Sequence, residues 1–277
     1  MTYLEYISKQ QNILRREELN TNAIFQIIYA LDKRIDSLLT FSNYVNDEVP
    51  QDVLKKADEY MDMYVNKKIP LAYIINTCSF LGYSFIIDEN VLCPRNETEQ
   101  WLDTVINILK KETSLKVLDL CCGSGVIGLS IKLELPYFNV TLSDIDKSSI
   151  KNTQKNAKKH KLDVKIIQSD LFENIKDKYN VIVFNPPYVD YDYPLDDSIL
   201  KYEPYNAIYS PHRGLLFYEI ILEQISNYLF DSYLIAMEIG FDLADKVVSL
   251  VRRYLKVEPI VLKDSNNKDR AIIINRL

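Results

Sequence analysis

From Leu115 onward, short apolar runs alternate with amphipathic helical stretches. Parallel strands need a long crossover to return to the same edge, so this alternation predicts an α/β, doubly wound, mostly parallel sheet. The expected strands are Lys116 to Leu120, Asn139 to Ser143, Val164 to Ile167, Val181 to Phe184 and Tyr233 to Glu238. An antiparallel pair, Glu258 to Leu262 and Ala271 to Asn275, would close a seven-stranded sheet around the turn Asp264-Ser265-Asn266-Asn267. Ligands in such sheets sit outside the carboxyl ends of the strands. Four of those ends carry Asp119, Asp144, Asp170 and Asn185. A lone polar residue at a strand end is usually a turn former, but one edge used four times favours a nucleoside site.

Asn185 begins the run Asn185-Pro186-Pro187-Tyr188 after the apolar Val181-Ile182-Val183-Phe184. The prolines end sheet pairing, because they lack an N–H and fix φ. What remains is a stiff loop rich in acceptors and nearly without donors, suited to holding a planar NH2 group by both hydrogens. A tight turn closing a strand would explain one Asn-Pro, but not the whole run.

Three of the six glycines fall at 123, 125 and 128, in Cys121-Cys122-Gly123-Ser124-Gly125-Val126-Ile127-Gly128. Glycine here lets backbone approach a ligand at a helix N-terminus. Asp144, about 20 residues on, is placed to accept from ribose hydroxyls. Asp146 is expected as a helix cap, and the basic stretch Lys147 to Lys161 as a solvated face. Asp170 is placed to accept from an exocyclic amine, with Leu171 or Phe172 against the ring. The spacing also fits a dinucleotide fingerprint, which leaves an NAD oxidoreductase open. Two features pull away from it. Asp119 stands just before the loop, where it could orient the loop or face a cation, and Asn185-Pro186-Pro187-Tyr188 has no evident task in hydride transfer.

Residues 3 to about 65 carry apolar stripes at helical spacing, including Ile24, Ile27, Ile28, Leu31 and Ile35, and read as a small helical bundle. Phe80 to Ile87 is aromatic and β-branched, followed by Asp88-Glu89-Asn90, and reads as a β-hairpin. In Asn96-Glu97-Thr98-Glu99, a capping box between Asn96 and Glu99 is expected at the next helix start. Arg95 and Glu97 are not explained by it. The expected domains are a helical partner-recognition domain over 1–75, a hairpin linker over 76–93 and a catalytic domain over 94–277. A long aromatic and acidic loop over 189–212 would cover the substrate side.

Composition narrows the function further. The four cysteines have no zinc-ligand spacing, and the two histidines lie in unrelated settings, so no metal site is expected. Net charge is −6, which argues against gripping long duplex DNA. No basic-then-apolar start and no membrane-length apolar run is present, so the expected place is the cytoplasm.

Val117 to Gly125, Ser143-Asp144, Ser169-Asp170 and Asn185-Pro186-Pro187-Tyr188 resemble class I S-adenosylmethionine methyltransferases acting on amide or amine nitrogen. Pro70-Leu71-Ala72-Tyr73-Ile74, Val91 to Glu99, Tyr202-Glu203-Pro204, Arg213-Gly214-Leu215, Glu238-Ile239-Gly240 and Asp269-Arg270 narrow this. The chain is similar to the HemK-type release factor glutamine N5-methyltransferases from about residue 70 to 275. That resemblance implies S-adenosyl-L-methionine as cofactor and the Gln of a Gly-Gly-Gln motif in peptide chain release factors as target.

Asn185, Pro186 and Tyr188 are then the expected catalytic residues. Asp119, Cys121, Cys122, Gly123, Ser124, Gly125, Asp144, Asp170, Leu171 and Asn185 are expected at the cofactor. Asn185, Pro186, Pro187, Tyr188, Arg95 and Glu97 are expected at the substrate. The chain departs from the family pattern at Cys121, Asn76 and Asn267, where Gly is usual, and at Asn96, where Pro is usual. A monomer without direct nucleic-acid or membrane binding is expected. Rival targets with the same planar NH2 are adenine N6 in DNA, guanine N2 in rRNA and a ribosomal-protein glutamine. A binding module that kept the fold without the activity is a further alternative.

Overall fold

A computed structural model of the chain describes residues 1–88 and 90–277. Glu89, expected just after the hairpin, lies outside the described residues. The chain divides into two compact units, Met1–Thr77 and Cys78–Leu277.

The first unit is all helical: α1 (Tyr3–Arg16), α2 (Ala23–Leu31), α3 (Leu38–Ser42), α4 (Gln51–Val65) and α5 (Leu71–Ile75). A capping box starts α1, with Glu5 N donating to Thr2 Oγ1 at 3.3 Å and Thr2 N to Glu5 Oε2 at 2.8 Å. Pro50 precedes α4, where a missing N–H costs nothing. The apolar stripes meet in a core that includes Tyr6, Ile7, Leu14, Ile24, Ile27, Ile28, Val53, Ala57 and Met61. The Tyr3 hydroxyl and the Arg34 guanidinium both donate to the buried Asp32, Arg34 at 2.7 Å. Among the described residues no helix is long and apolar enough to cross a membrane.

The second unit opens with a hairpin, β1 (Thr77–Phe80) and β2 (Tyr83–Ile86). Leu81 and Gly82 both have positive φ, the pattern of a two-residue I′ turn. The sequence suggests a linker here, but Phe80 and Phe85 are buried in the second unit's own core. α6 (Asn96–Leu109) follows. Its expected capping box does not form. Arg95 is the N-cap residue, no side chain caps the helix, and Glu99 Oε1 instead accepts from Leu81 N at 2.8 Å. The exposed hairpin turn offers an unpaired donor that competes successfully for Glu99.

The sheet comprises β3 (Lys116–Leu120), β4 (Asn139–Asp144), β5 (Lys165–Gln168), β6 (Tyr179–Phe184), β7 (Leu229–Glu238), β8 (Ile260–Lys263) and β9 (Asp269–Asn275). Their order is β5-β4-β3-β6-β7-β9-β8. β5 through β7 pair in parallel, and β9 is antiparallel to both β7 and β8. Both faces are covered, so the central strands are apolar on both sides. Val117, Val181 and Val183 pack with α6 and α7 (Val126–Glu134). Leu118, Ile182 and Phe184 pack with α10 (Leu216–Gln224) and α11 (Ala244–Leu255).

α8 (Lys147–Lys159) presents its lysines to solvent, but Asn152, Thr153 and Asn156 are buried. Asn152 and Asn156 donate to Ile86 O at 2.7 and 3.0 Å, and Asn156 Oδ1 accepts from Ile86 N at 2.6 Å. A helix expected only as a solvated face therefore clamps the hairpin. The stretch 189–212 contains α9 (Asp197–Tyr202) and is pinned at its base, where Val189 N donates to Ile208 O at 3.0 Å and Ser210 N to Val189 O at 2.9 Å.

Candidate active site

The strand order reverses between β3 and β6, and a cavity of about 500 Å3 opens at the carboxyl ends of those strands. Its wall includes Cys121, Gly123, Asp144, Asp170, Leu171, Asn185 and Pro187 from the expected site. Asp144, Asp146 and Asp170 line it, with no lysine or arginine among the described residues of its wall. That environment favours a ligand carrying positive charge and disfavours a pyrophosphate.

Asp144 organises the glycine loop. Its Oδ2 accepts from Gly123 N at 2.8 Å and its Oδ1 from Asp146 N at 2.9 Å. Burial raises its pKa, and these backbone donors work against that rise. Asp146 caps α8, accepting from Ser148 N at 2.7 Å as its position predicts. Cys121 holds the left-handed conformation at φ 60, the backbone that glycine adopts without strain. The cost of that conformation is about 1–2 kcal/mol. Burial and then the neighbouring Asp144 push its thiol pKa well up, so it stays a neutral thiol.

Four residues expected at the cofactor support the loop from behind instead. Asp119 is fully buried; its Oδ2 accepts from Gly128 N at 2.8 Å, and its Oδ1 has no partner among the described residues. Burial pushes its pKa up to about 8, so it is neither a ribose ligand nor a cation's counter-charge. The strand's alternation turns it, like Val117, towards α7. The Cys122 thiol lies 3.6 Å from Thr153 Oγ1. Ser124 is buried, and its carbonyl accepts from Asn156 at 3.0 Å. Gly125 is the N-cap of α7 at φ 80, where an added Cβ would lie 2.8 Å from Thr153.

Asn185 lines the cavity, and its side-chain amide has no hydrogen-bond partner among the described residues. Pro187 lies beside it, while Pro186 is buried outside the wall. Tyr188, expected as catalytic, is also outside the wall: its hydroxyl donates to the buried Glu238 Oε1 at 3.1 Å. Arg95 donates to Glu203 at 2.6 Å, tying the start of α6 to the 189–212 segment. Glu97 is partly buried and also outside the wall; its charge acts on Arg270. Neither Arg95 nor Glu97 reaches the cavity.

The 189–212 stretch, expected as a cover on the substrate side, supplies much of the mouth, although the sequence does not single out Tyr205 and Tyr209. Tyr191, Tyr205 and Tyr209 pack together there, with ring centroids 5.7 Å apart for Tyr191–Tyr209 and 4.6 Å for Tyr205–Tyr209. Ser149, Leu216 and Phe217 also line the cavity. The tyrosine-rich run was the available signal, but nothing local places Tyr205 and Tyr209 against Tyr191.

Comparison with known proteins identifies the site's relatives. The model of the methyltransferase small domain matches residues 88–197. A release factor glutamine methyltransferase of Clostridium botulinum is 36% identical over 85% of this chain and 84% of its own length. Its counterpart in Clostridium acetobutylicum is 34% identical, over 90% and 88%. Among solved structures, the T. thermophilus 16S rRNA methyltransferase RsmC in complex with AdoMet and guanosine has a similar fold, with a TM-score of 0.53 at 15% identity, over 73% of this chain and 50% of its own. The sheet order, the cavity at the switch point and the sequence similarity agree: the chain belongs to the release factor glutamine methyltransferase family.

Proposed function

We propose that this cavity binds S-adenosylmethionine and that Asn185 presents the side-chain amide of a release factor glutamine, in a Gly-Gly-Gln motif, for methylation at N5. The observation that carries this reading is the Asn185 amide, unpartnered among the described residues, on the wall of a cavity whose described lining has three carboxylates and no basic side chain. The residues present fit the cofactor. Asp144 keeps acceptor capacity for ribose hydroxyls beyond its two backbone donors, and Asp170 and Leu171, on the same wall, would take the adenine amine and ring. An NAD pyrophosphate fits poorly, since Gly123 N already donates to Asp144.

When bound, the cofactor supplies a methyl group on a positively charged sulfur that departs as a neutral thioether. The chain's part is positioning. Asn185 Oδ1, on the wall, accepts one amide hydrogen; the Pro186 main-chain carbonyl, next in the chain though its residue is off the wall, would take the other once substrate is seated, and the pair aim the nitrogen lone pair, which resonance otherwise makes a poor nucleophile. The same acceptors stabilise the positive charge that develops on that nitrogen. The N-methylated amide cation is a strong acid and loses its proton to water, so no strong general base is required.

Incubation with labelled S-adenosylmethionine and purified release factor, ribosomal protein and DNA in parallel tests the assignment. Mass spectrometry should place the methyl on one release factor glutamine. Labelling of the ribosomal protein or DNA alone would overturn it.

A further inference from the structure

Glu238 ends β7 as a fully buried carboxylate. Its Oε2 accepts from Thr98 Oγ1 at 2.5 Å and Trp101 Nε1 at 2.9 Å, both on α6. Its Oε1 accepts from the Tyr188 hydroxyl at 3.1 Å, and its main-chain carbonyl from the Tyr218 hydroxyl at 2.7 Å. One residue thus joins α6, α10 and the loop that carries Asn185. That loop has two prolines without N–H groups, so it is short of main-chain tethers. Gly214 packs close to the Tyr188 main chain, where an added Cβ would lie 2.2 Å from the carbonyl oxygen.

We propose that Glu238 is a positioning residue that acts through Tyr188. Its carboxylate fixes the tyrosine ring, and the ring fixes the direction in which Asn185 and the Pro186 carbonyl present their lone pairs. Tyr188 then serves by holding the loop from below rather than by touching substrate. Glu238 is suited to this because a carboxylate has enough lone pairs to receive all three side-chain donors, whereas an amide turns one of its two ends into a donor. A misplacement of about 1 Å in such a loop can cost ~10²-fold in rate, so a buried anchor behind it has a direct consequence for turnover.

The inference rests on the methyl-transfer reading, and two measurements separate their fates. Kinetics come first, on Tyr188→Phe, Glu238→Gln and the double variant, with a release factor as substrate. Tyr188→Phe leaves the Thr98 and Trp101 bonds in place, so it reports on the link even if Glu238→Gln fails to fold. Tyr188→Phe should lower kcat about 10-fold, with KM for the release factor and the Kd for S-adenosylmethionine changed less than twofold. The double variant should be no slower than the slower single variant. Wild-type kcat in Tyr188→Phe, or losses that multiply in the double variant, would overturn the proposal.

Hydrogen–deuterium exchange on the cofactor-free protein comes second and needs no substrate. The amide of Val189, which follows Tyr188 and donates to Ile208 O at 3.0 Å, should exchange at least several-fold faster in Tyr188→Phe. Unchanged exchange would overturn the positioning role. If wild-type enzyme leaves the release factor unmodified while exchange responds as expected, the functional reading fails and the anchor stands.

Discussion

Gly214→Ala should damage both stability and turnover, and the two effects have separable origins. Gly214 sits at φ +85, and a Cβ there would lie 2.2 Å from the Tyr188 carbonyl oxygen and 3.2 Å from Leu243 Cδ1. The left-handed backbone costs an L-residue about 1–2 kcal/mol. Relieving the clash adds about 1–3 kcal/mol, as for other overpacked sites. A total of roughly 2–5 kcal/mol corresponds to a fall of about 5–15 °C in Tm for a unit of this size. The carbonyl must also retreat by about 1 Å to reach an ordinary contact, and Asn185 is three residues away, so kcat should fall by about 10²-fold. Gly82 provides the control: it has φ +78, but nothing lies within 4 Å of an added Cβ. Gly82→Ala should cost only the backbone strain, about 1–2 kcal/mol, and leave kcat unchanged. Differential scanning calorimetry and methyl-transfer kinetics on both variants decide the matter. Equal Tm losses with native kcat in Gly214→Ala would show that the Tyr188 loop tolerates the intrusion.

Asn185→Ala should cut kcat by about 10²–10³-fold, the usual effect of removing one preorganised transition-state contact; the Kd for S-adenosylmethionine by calorimetry should change less than threefold, and a parallel loss of binding would contradict the role. Asp119 has a folded-state pKa of about 8 against an ordinary 3.8, so its contribution to stability is complete below pH 4 and is lost as pH rises through 8. Asp119→Asn should therefore show a smaller fall in Tm between pH 6 and pH 9 than wild type, and parallel curves would refute this. Hydrogen bonding from Arg34 is the main cause holding Asp32 down to about 2, so its contribution is present above pH 4 and lost as pH falls through 2. Arg34→Met should lower stability near neutral pH and approach wild type near pH 2 in acid titrations followed by circular dichroism.

The alternation after Leu115 made the sheet legible because parallel strands covered on both faces must be apolar throughout, and few other arrangements meet that demand. Asp144, Asp170 and Asn185 were legible for a related reason: a polar residue ending such a strand points to where the sheet stops and solvent begins. Asp119 misled because it precedes the end of β3 by one residue, and alternation turned it inward to receive Gly128 N. A stricter use of strand parity would have set it beside Val117 rather than at the ligand.

Glu99 and Glu238 show what local reading leaves open. Glu99 satisfies the capping-box spacing, yet it accepts from Leu81 N, a donor brought to it by the hairpin fold. Glu238 closes the apolar run Leu234-Ile235-Ala236-Met237, so the sequence implies a carboxylate drawn into the core, where it must find donors. It says nothing of which donors, because Thr98 and Trp101 are 140 and 137 positions away and Tyr188 is 50. Capping and turn preferences act over a few residues, whereas a buried charge is satisfied by whatever the topology delivers. The same reasoning applies to Tyr188: its neighbours in sequence suggest contact with substrate, while its hydroxyl donates to the buried Glu238 carboxylate. Removing Glu238's other donors should test the balance. In Thr98→Val, Oε2 loses its 2.5 Å bond while Trp101 and Tyr188 remain, so kcat should stay close to wild type even as Tm falls. A loss of turnover as large as that of Tyr188→Phe would mean that the whole cluster, rather than the bond to the phenol, sets the loop.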